Sequence, residues 1–587
     1  MRASRRIEPT AALLLLTTAS VYLTTASRTV VGGDNGEFAT LLIDGGVAHP
    51  PGYPLFSMWL RLCSLLPALP AHAAALATAV TGIAAVMMVR RACLAYGAAP
   101  LAATTAAGVY AFSPLTWDLS THAEVFALNA LLASAIVALS SPRSTVPAFW
   151  RAVLLALLAG LGLSHHHSIV LLIPIGAVGF ALAVSALPRP GRLRAMGWSL
   201  GGLAAGLTPY LWIMVQGSRE DGRWLWGETA TWRGLLHHVL RADYGTTRLA
   251  LSDAPPQPAA QLLLLGSHLA ESLVYVLVPV VLLGLWTTFR AAALRDRRML
   301  AASLSLCASF LLAGPAFVSR FNIAPVGVGI HVVERFHLLP WTCLVPFLAL
   351  GFDEIGRRIV VQGSVRAMTA AAAVAGLLMW HLPVRLKRPS VIEDYLRNSL
   401  AMCPPHAVVF GSGDMQLFGF LYADRALHLR PDVTYVDPLL MLYPWYHRRV
   451  AAKLGVELAP PVDGSLPLGT VIAQLQAAGR PVLLASPLSS RGLAAYTIYP
   501  LGTLLAVEPS DHPPPPPSLL DRENLSIASR YEIHGSLSAD PTSWEALAQQ
   551  AYARPFLALA RAFEDAGDAT AAARNRERAA VFLPWMH

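Results

Sequence analysis

Apolar runs long enough to cross a hydrocarbon core of roughly 30 Å recur down the first two thirds of this chain. They lie near residues 10–28, 71–89, 98–115, 122–140, 150–164, 168–186, 197–216, 262–286, 300–317, 337–355 and 364–382. In hydrocarbon every backbone N–H and C=O must be satisfied within the protein, so each run is restricted to helix. The pattern predicts an α-helical polytopic membrane protein with about eleven transmembrane helices. Only 13% of residues are charged, against roughly 25% in soluble domains, which excludes an ordinary soluble enzyme and a disordered chain. The first run follows MRASRRIEP without a clear small-x-small cleavage site, so it reads as a retained helix and not a signal peptide. The stretch 53–69, broken by Arg61 and flanked by prolines, reads as an interfacial helix.

Arginine sets the sidedness. Arg2, Arg5 and Arg6 precede the first run, Arg90 and Arg91 follow the second, and Arg143 follows the fourth. Arg189, Arg192 and Arg194 follow the sixth, Arg290, Arg295, Arg297 and Arg298 the eighth, and Arg357, Arg358 and Arg366 the tenth. Every second short loop is thus arginine-rich, the positive-inside pattern. It predicts a multi-pass protein of the inner (plasma) membrane with a cytoplasmic N-terminus and everything after residue 383 outside. The net charge of +9 is mostly this orientation signal. Residues 384–587 hold 18 basic and 19 acidic side chains, so no basic face remains for nucleic acid.

Beyond residue 383 the apolar runs shorten to strand length: AVVFGSG (407–413), VTYVD (433–437), PVLLAS (481–486) and TLLAVE (503–508). Helical stretches separate them, which predicts an α/β domain. The predicted organisation is a transmembrane catalytic domain over 1–383, an extracytoplasmic α/β domain over 384–512, a proline-rich linker over 513–539 and a helical tail over 540–587. The tail sequence 556–582 resembles one tetratricopeptide unit, which cannot bury its own face and must dock on something. Cys63, Cys93, Cys307, Cys343 and Cys403 are far apart and form no CxxC, so neither a disulfide framework nor a thiolate metal site is expected.

The richest stretch for chemistry is the first outside loop, VGGDNGEFATLLIDGGVAHPPGYPLF (31–56). If a short helix starts at Asn35, the carboxylates of Asp34 and Glu37 share a face. A carboxylate held at a membrane surface can deprotonate a hydroxyl. Equally, Asp34 can cap the helix and Glu37 complete the capping interaction.

This loop, with Asp-x-x-Glu followed by HPPGYPL, resembles the bacterial members of glycosyltransferase family 117, relatives of a eukaryotic transmembrane protein O-mannosyltransferase within the GT-C superfamily. The stretches SPLTWDLSTHAEVFALNALL (113–132), GLGLSHHHSIVLLIP (160–174), LTPYLW (207–212), WGETATWRGLLHHVLRADYG (226–245), ERFHLLP (334–340) and RPDVTYVDPLLMLYPWY (430–446) resemble further family segments. His165 stands where the family usually has Asn. The resemblance implies a GT-C-like fold and transfer of a sugar, mannose in the eukaryotic relatives, from a polyprenyl-phosphate donor to a protein or glycolipid acceptor on the outer face, with inversion. It puts Asp34 in the place of the catalytic acidic residue, supported by Glu37.

In such a displacement the carboxylate takes the acceptor's proton, and a cation stabilises the departing phosphate. Arg335 is the expected phosphate ligand because arginine binds phosphate oxygens bidentately; the plainer reading is an arginine snorkelling to lipid headgroups. Arg241, His49, His165 and His166 complete the expected donor-binding set. Glu124 and Trp117 are expected to position the acceptor, although Glu124 can equally form a structural pair, with Arg335 as one partner. Adjacent histidines point in different directions, so the 165–167 triplet predicts no metal site; no cofactor is required, and a divalent metal is left open. GSGD (411–414) is not a dinucleotide fingerprint. Two other classes compete: a flippase for lipid-linked saccharides, for which no repeat is visible, and a non-catalytic membrane scaffold.

Overall fold

The computed structural model describes residues 8–219, 221–246, 248, 254–358, 363–386, 391–488, 491–534 and 537–586. Arg2, Arg5 and Arg6 lie outside the described residues. The chain divides into two compact units, one of Met1–Arg28 with Gly45–Leu386 and one of Thr29–Asp44 with Lys387–His587. The second unit thus includes the first loop's acidic segment, which the run of apolar stretches places with 1–383.

The first unit is helical. Among the described residues, Pro70–Ala95, His167–Ser185, Arg189–Gly217, Arg297–Ala316 and Gly329–Arg358 are long and apolar enough to cross a membrane. Shorter apolar helices cover Pro9–Thr25, Phe126–Ser140, Ala148–Leu163, Val278–Arg290 and Met368–Leu382. The 98–115 run forms Pro100–Phe112. The single helix expected over 262–286 is two, Pro258–Ser272 and Val278–Arg295. Between them Val274 and Tyr275 adopt φ of 49° and 56°, a backbone state that hydropathy cannot reveal and that β-branched residues rarely enter. The 53–69 stretch forms Pro54–Cys63, with Phe56 and Leu60 buried and Met58 and Leu62 exposed.

Two helix pairs meet backbone to backbone. A Cβ at Gly160 would overlap the carbonyl oxygen of Leu203, and one at Gly206 that of Leu157, where Ala148–Leu163 crosses Arg189–Leu207. Gly284 and Gly351 do the same for Val278–Arg295 and Leu338–Arg358, against Phe347 and Val280. Helices in lipid gain little from burying apolar surface, so small residues that permit close dispersion contact hold them together.

The second unit is built on a five-stranded sheet: β1 (Val408–Phe410), β2 (Thr434–Val436), β3 (Val482–Leu484), β4 (Tyr496–Leu501) and β5 (Leu504–Pro509), in the order β2-β1-β3-β5-β4. β1 pairs in parallel with β2 and β3, while β5 is antiparallel to β3 and β4. β4 was not expected. Its residues, YTIYPL, carry little burial and lie at the sheet edge, where a proline is tolerated. Pro517 opens a helix, Pro517–Ala528, within the stretch read as a linker; a proline fits the first helical turn because its missing N–H has no partner there. The tail forms the helical pair Trp544–Asp565 and Ala569–Ala580. Within it, Tyr552 hydrogen-bonds Asn398 at 2.7 Å and sets its ring edge against Tyr395.

Candidate functional site

In the second unit, Asp34 immediately precedes the helix Asn35–Asp44, and its carbonyl accepts from Phe38 N–H at 3.1 Å. Asp34 is 8% exposed and Glu37 is fully buried. The helix lies flat on Asp414–Arg425, because Gly36 brings its backbone against the carbonyl of Phe418 and Arg425 pairs with Asp44 at 3.2 Å. At its start Gly32, with φ of 101°, leaves room for the side chain of Trp544. The segment is therefore seated by close backbone approach on both flanks, which holds the two acidic residues in a defined place.

The first unit gathers most of the remaining predicted residues. Arg335 Nη1 donates to Glu124 Oε1 at 2.7 Å, and Glu124 Oε2 accepts from Val125 N–H at 3.2 Å. The two side chains are 13% and 4% exposed. Glu124 sits just before the helix Phe126–Ser140, whose first side chain lies under the guanidinium at 5.7 Å. Phe126 also packs on His166 and on Phe336, at 5.1 and 5.2 Å between ring centres. Phe336 and His166 are 5.8 Å apart, closing an aromatic floor beneath Arg335.

His166 is fixed by its neighbours. Its Nδ1 accepts from Ser168 N–H at 3.2 Å and lies 2.7 Å from Ser168 Oγ, which in turn accepts from Asn129 Nδ2 at 3.1 Å. An Nδ1 that accepts a backbone N–H carries no proton of its own, so the proton resides on Nε2. Burial, the neighbouring imidazoles and the charges of Arg241 and Arg335 hold its pKa well below the usual histidine value. His166 is accordingly a neutral Nε2–H donor within reach of two guanidinium fields. The ring of Tyr53 stacks on it at 5.7 Å, and the Tyr53 hydroxyl meets His49 Nε2 at 3.1 Å.

The HPPGYP turn that carries His49 and Tyr53 is pinned by a two-hydrogen-bond bridge between Val47 and residues 224–226. Gly52, with φ of 91°, lets that turn close against Ile213 and His238. His49 then faces Trp226 edge-on, Trp226 stacks on Tyr244, and Arg241 lies over Tyr244 at 5.1 Å.

The other two histidines of the triplet turn elsewhere. His165 Nε2–H donates to Val125 O at 2.8 Å, and burial lowers its pKa to about 4. His167 Nε2 meets the Tyr210 hydroxyl at 3.1 Å. Three rings with three different partners do not converge on one ion, and no cluster of three potential metal ligands occurs among the described residues. Trp117, expected to position an acceptor, is fully buried; its indole N–H donates to Thr25 Oγ1 at 2.9 Å and its ring packs on Phe112. It offers no exposed face for stacking, so any effect it has runs through this packing.

Tyr53, Phe126, Phe336, Ser168 and Asn129 were not singled out from the sequence. Tyr53, Phe126 and Phe336 lie inside the motifs HPPGYP, EVF and ERF, next to charged or histidine residues.

Residues 34–186 match the family model described as the protein O-mannosyl-transferase TMEM260 N-terminal domain. The chain is 30% identical to the mouse (Mus musculus) protein O-mannosyl-transferase TMEM260 over 483 residues, which are 78% of this chain and 67% of that protein. A protein of the same description from Dictyostelium discoideum is 23% identical over 479 residues, 74% of this chain and 58% of the relative. Among solved structures, ArnT from Cupriavidus metallidurans bound to undecaprenyl phosphate aligns with a TM-score of 0.52 over 86% of this chain and 99% of that one, at 14% identity. That likeness establishes a GT-C fold.

Proposed function

The chain belongs to the TMEM260 family of protein O-mannosyl-transferases, and from that premise we propose that it moves mannose from a polyprenyl-phosphate donor to a protein hydroxyl outside the plasma membrane. The observation that carries the reading is the cationic, hydrogen-bond-donating cluster of Arg335, Arg241 and neutral His166 on an aromatic floor. A phosphate monoanion or dianion is the ligand such a set suits: one fork-shaped guanidinium, a second cation and an N–H donor without a competing proton equilibrium. ArnT, which shares the fold, binds undecaprenyl phosphate, a carrier of the same class.

In the proposed reaction the acceptor oxygen attacks C1 of the sugar, the C1–O bond to phosphate breaks, and the electron pair leaves with the phosphate. Arg335, Arg241 and His166 Nε2–H stabilise the charge that develops there. The acceptor's proton passes to a carboxylate, a role the first-loop resemblance gives to Asp34 with Glu37 in support. Glu124 holds Arg335 in orientation, and His49 acts through Tyr53, whose ring covers His166. The step needs no strong general acid, since the leaving group is already a phosphate. The N-terminus is placed in the cytoplasm and Thr29–Asp44 and the sheet-bearing unit outside, following the arginine loops.

The test is transfer of labelled mannose from polyprenyl phosphate mannose to acceptor peptides by the purified full chain, together with a reporter fused after residue 450. The proposal expects donor consumption, a mannosylated peptide and an extracytoplasmic signal. A donor never consumed, or a cytoplasmic signal, overturns it.

A further inference from the structure

The strand order of the sheet-bearing unit marks a second place suited to a ligand, and the transfer reaction makes no use of it. The chain leaves β1 for β2 on one side and then returns past β1 to β3 on the other. In open α/β sheets such a reversal opens a crevice beyond the carboxyl ends of the two flanking strands, which is where ligands bind. Here those ends are Gly411–Gly413 and Ala485–Ser486.

The residues converging there are unusually short of partners. Arg554 reaches in from Trp544–Asp565 and donates from Nη1 to Ala485 O at 3.1 Å; it pairs with no carboxylate among the described residues. Gln416 bridges the crevice floor, donating to Ala485 O at 3.1 Å while accepting from Ser412 N–H at 3.1 Å. Tyr395 is fully buried within the electrostatic reach of Arg554, and its hydroxyl lies beside Ser399 and Gln416 without a well-aligned hydrogen bond among the described residues. The enclosed hydroxyl of Tyr435, whose ring lies against Gly411, makes none either. Ser412, Gly413 and Ser486 form a partly exposed rim. A half-buried guanidinium lacking an acid among the described residues, beside enclosed hydroxyls whose hydrogen bonds are poorly made, is well served by an acceptor-rich group arriving from outside. Two carboxylates face Tyr435: Asp437, just after β2, and Asp414, next to Gly413.

We propose that this crevice binds a small oxyanion, phosphate or carboxylate, through Arg554 and the Tyr395 hydroxyl. This site is independent of the mannosyl-transfer reading. The experiment uses the full chain in detergent with Arg335→Gln as background, so that phosphate held by the first unit does not contribute. Inorganic phosphate is titrated and its phosphorus resonance followed, with acetate as competitor. Saturable broadening is expected, weakened roughly tenfold or more by Arg554→Gln, as loss of a charge-assisted hydrogen bond implies. Tyr395→Phe should weaken it several-fold, and Arg561→Gln, on the exposed face of the same helix, should leave it unchanged. Displacement by equimolar acetate identifies a carboxylate site, and persistence a phosphate site. If Arg554→Gln lowers the melting temperature, Tyr395→Phe decides. No saturable broadening, or broadening that Tyr395→Phe and Arg554→Gln leave intact, overturns the proposal.

Discussion

Arg335 Nη1 and Glu124 Oε1 lie 2.7 Å apart although 211 positions separate them in sequence. Both side chains are largely buried, so the pair offsets part of the hydration that each has lost. Removing one partner of a buried pair costs about 3–5 kcal/mol. Glu124→Gln, which leaves the guanidinium charged and underpaired, is expected to lower stability by about 3 kcal/mol, read as a drop in melting temperature in detergent. Arg335→Lys keeps the charge but loses the fork, and is expected to reduce transfer by about 10²-fold. Unchanged melting and unchanged transfer in the two variants would remove Arg335 and Glu124 from the account.

His166 is expected to act without titrating. Burial first, then the neighbouring imidazoles and two guanidinium charges, favour the neutral imidazole. A group whose folded pKa lies below its usual value of about 6.5 contributes no limb to a pH–rate profile between pH 6.5 and 8.5. Wild type and His166→Gln should therefore show profiles of the same shape over that range, while His166→Phe, which deletes the donor, loses about 10²-fold in kcat. A wild-type limb that vanishes in His166→Gln would mean that the imidazole carries a proton during turnover.

Much of this site was legible before any coordinates, and for an identifiable reason. Charged and histidine residues inside an apolar chain are expensive, so Arg335, Glu124 and the 165–167 triplet stood out against their surroundings. The aromatic floor did not. Phe126 and Phe336 look like any membrane phenylalanine, and only the fold brings them together under one guanidinium. Trp117, expected to position the acceptor, is interior packing, which a sequence motif does not reveal. The break at Val274–Tyr275 was invisible for a related reason: hydropathy measures the solvent a segment prefers, and the turn there involves neither Gly nor Pro.

Gly284 and Gly351 offer a test of the membrane-helix packing. Any side chain at Gly284 meets the Phe347 carbonyl, so Gly284→Val is expected to cost about 1–3 kcal/mol through forced helix separation. Gly376, around which nothing lies within 4 Å, provides the control: Gly376→Val should leave the yield of folded protein in detergent unchanged. Equal yields from both variants would argue that the two helices do not meet as described.

Asp437 makes the sheet-bearing unit pH-sensitive. Burial raises its carboxyl to about 6, despite hydrogen bonds from the N–H groups of Leu439 and Leu440. The folded state then holds the proton more tightly than the unfolded chain does. The stabilisation is complete below about pH 4 and is lost as the pH rises through about 6. Two pH units correspond to on the order of 3 kcal/mol. Calorimetry between pH 4 and 7 is expected to show this decline from Asp437 in wild type and a flatter profile in Asp437→Asn; identical slopes would contradict it.

The most direct test of the central claim compares wild type with Asp34→Asn and Glu37→Gln at saturating donor. If Asp34 takes the acceptor's proton, Asp34→Asn should lose about 10²–10⁴-fold in kcat while donor affinity stays at the wild-type level, and Glu37→Gln should lose less. Transfer by Asp34→Asn at the wild-type rate would contradict the assignment, leaving the first-loop carboxylate as a helix cap.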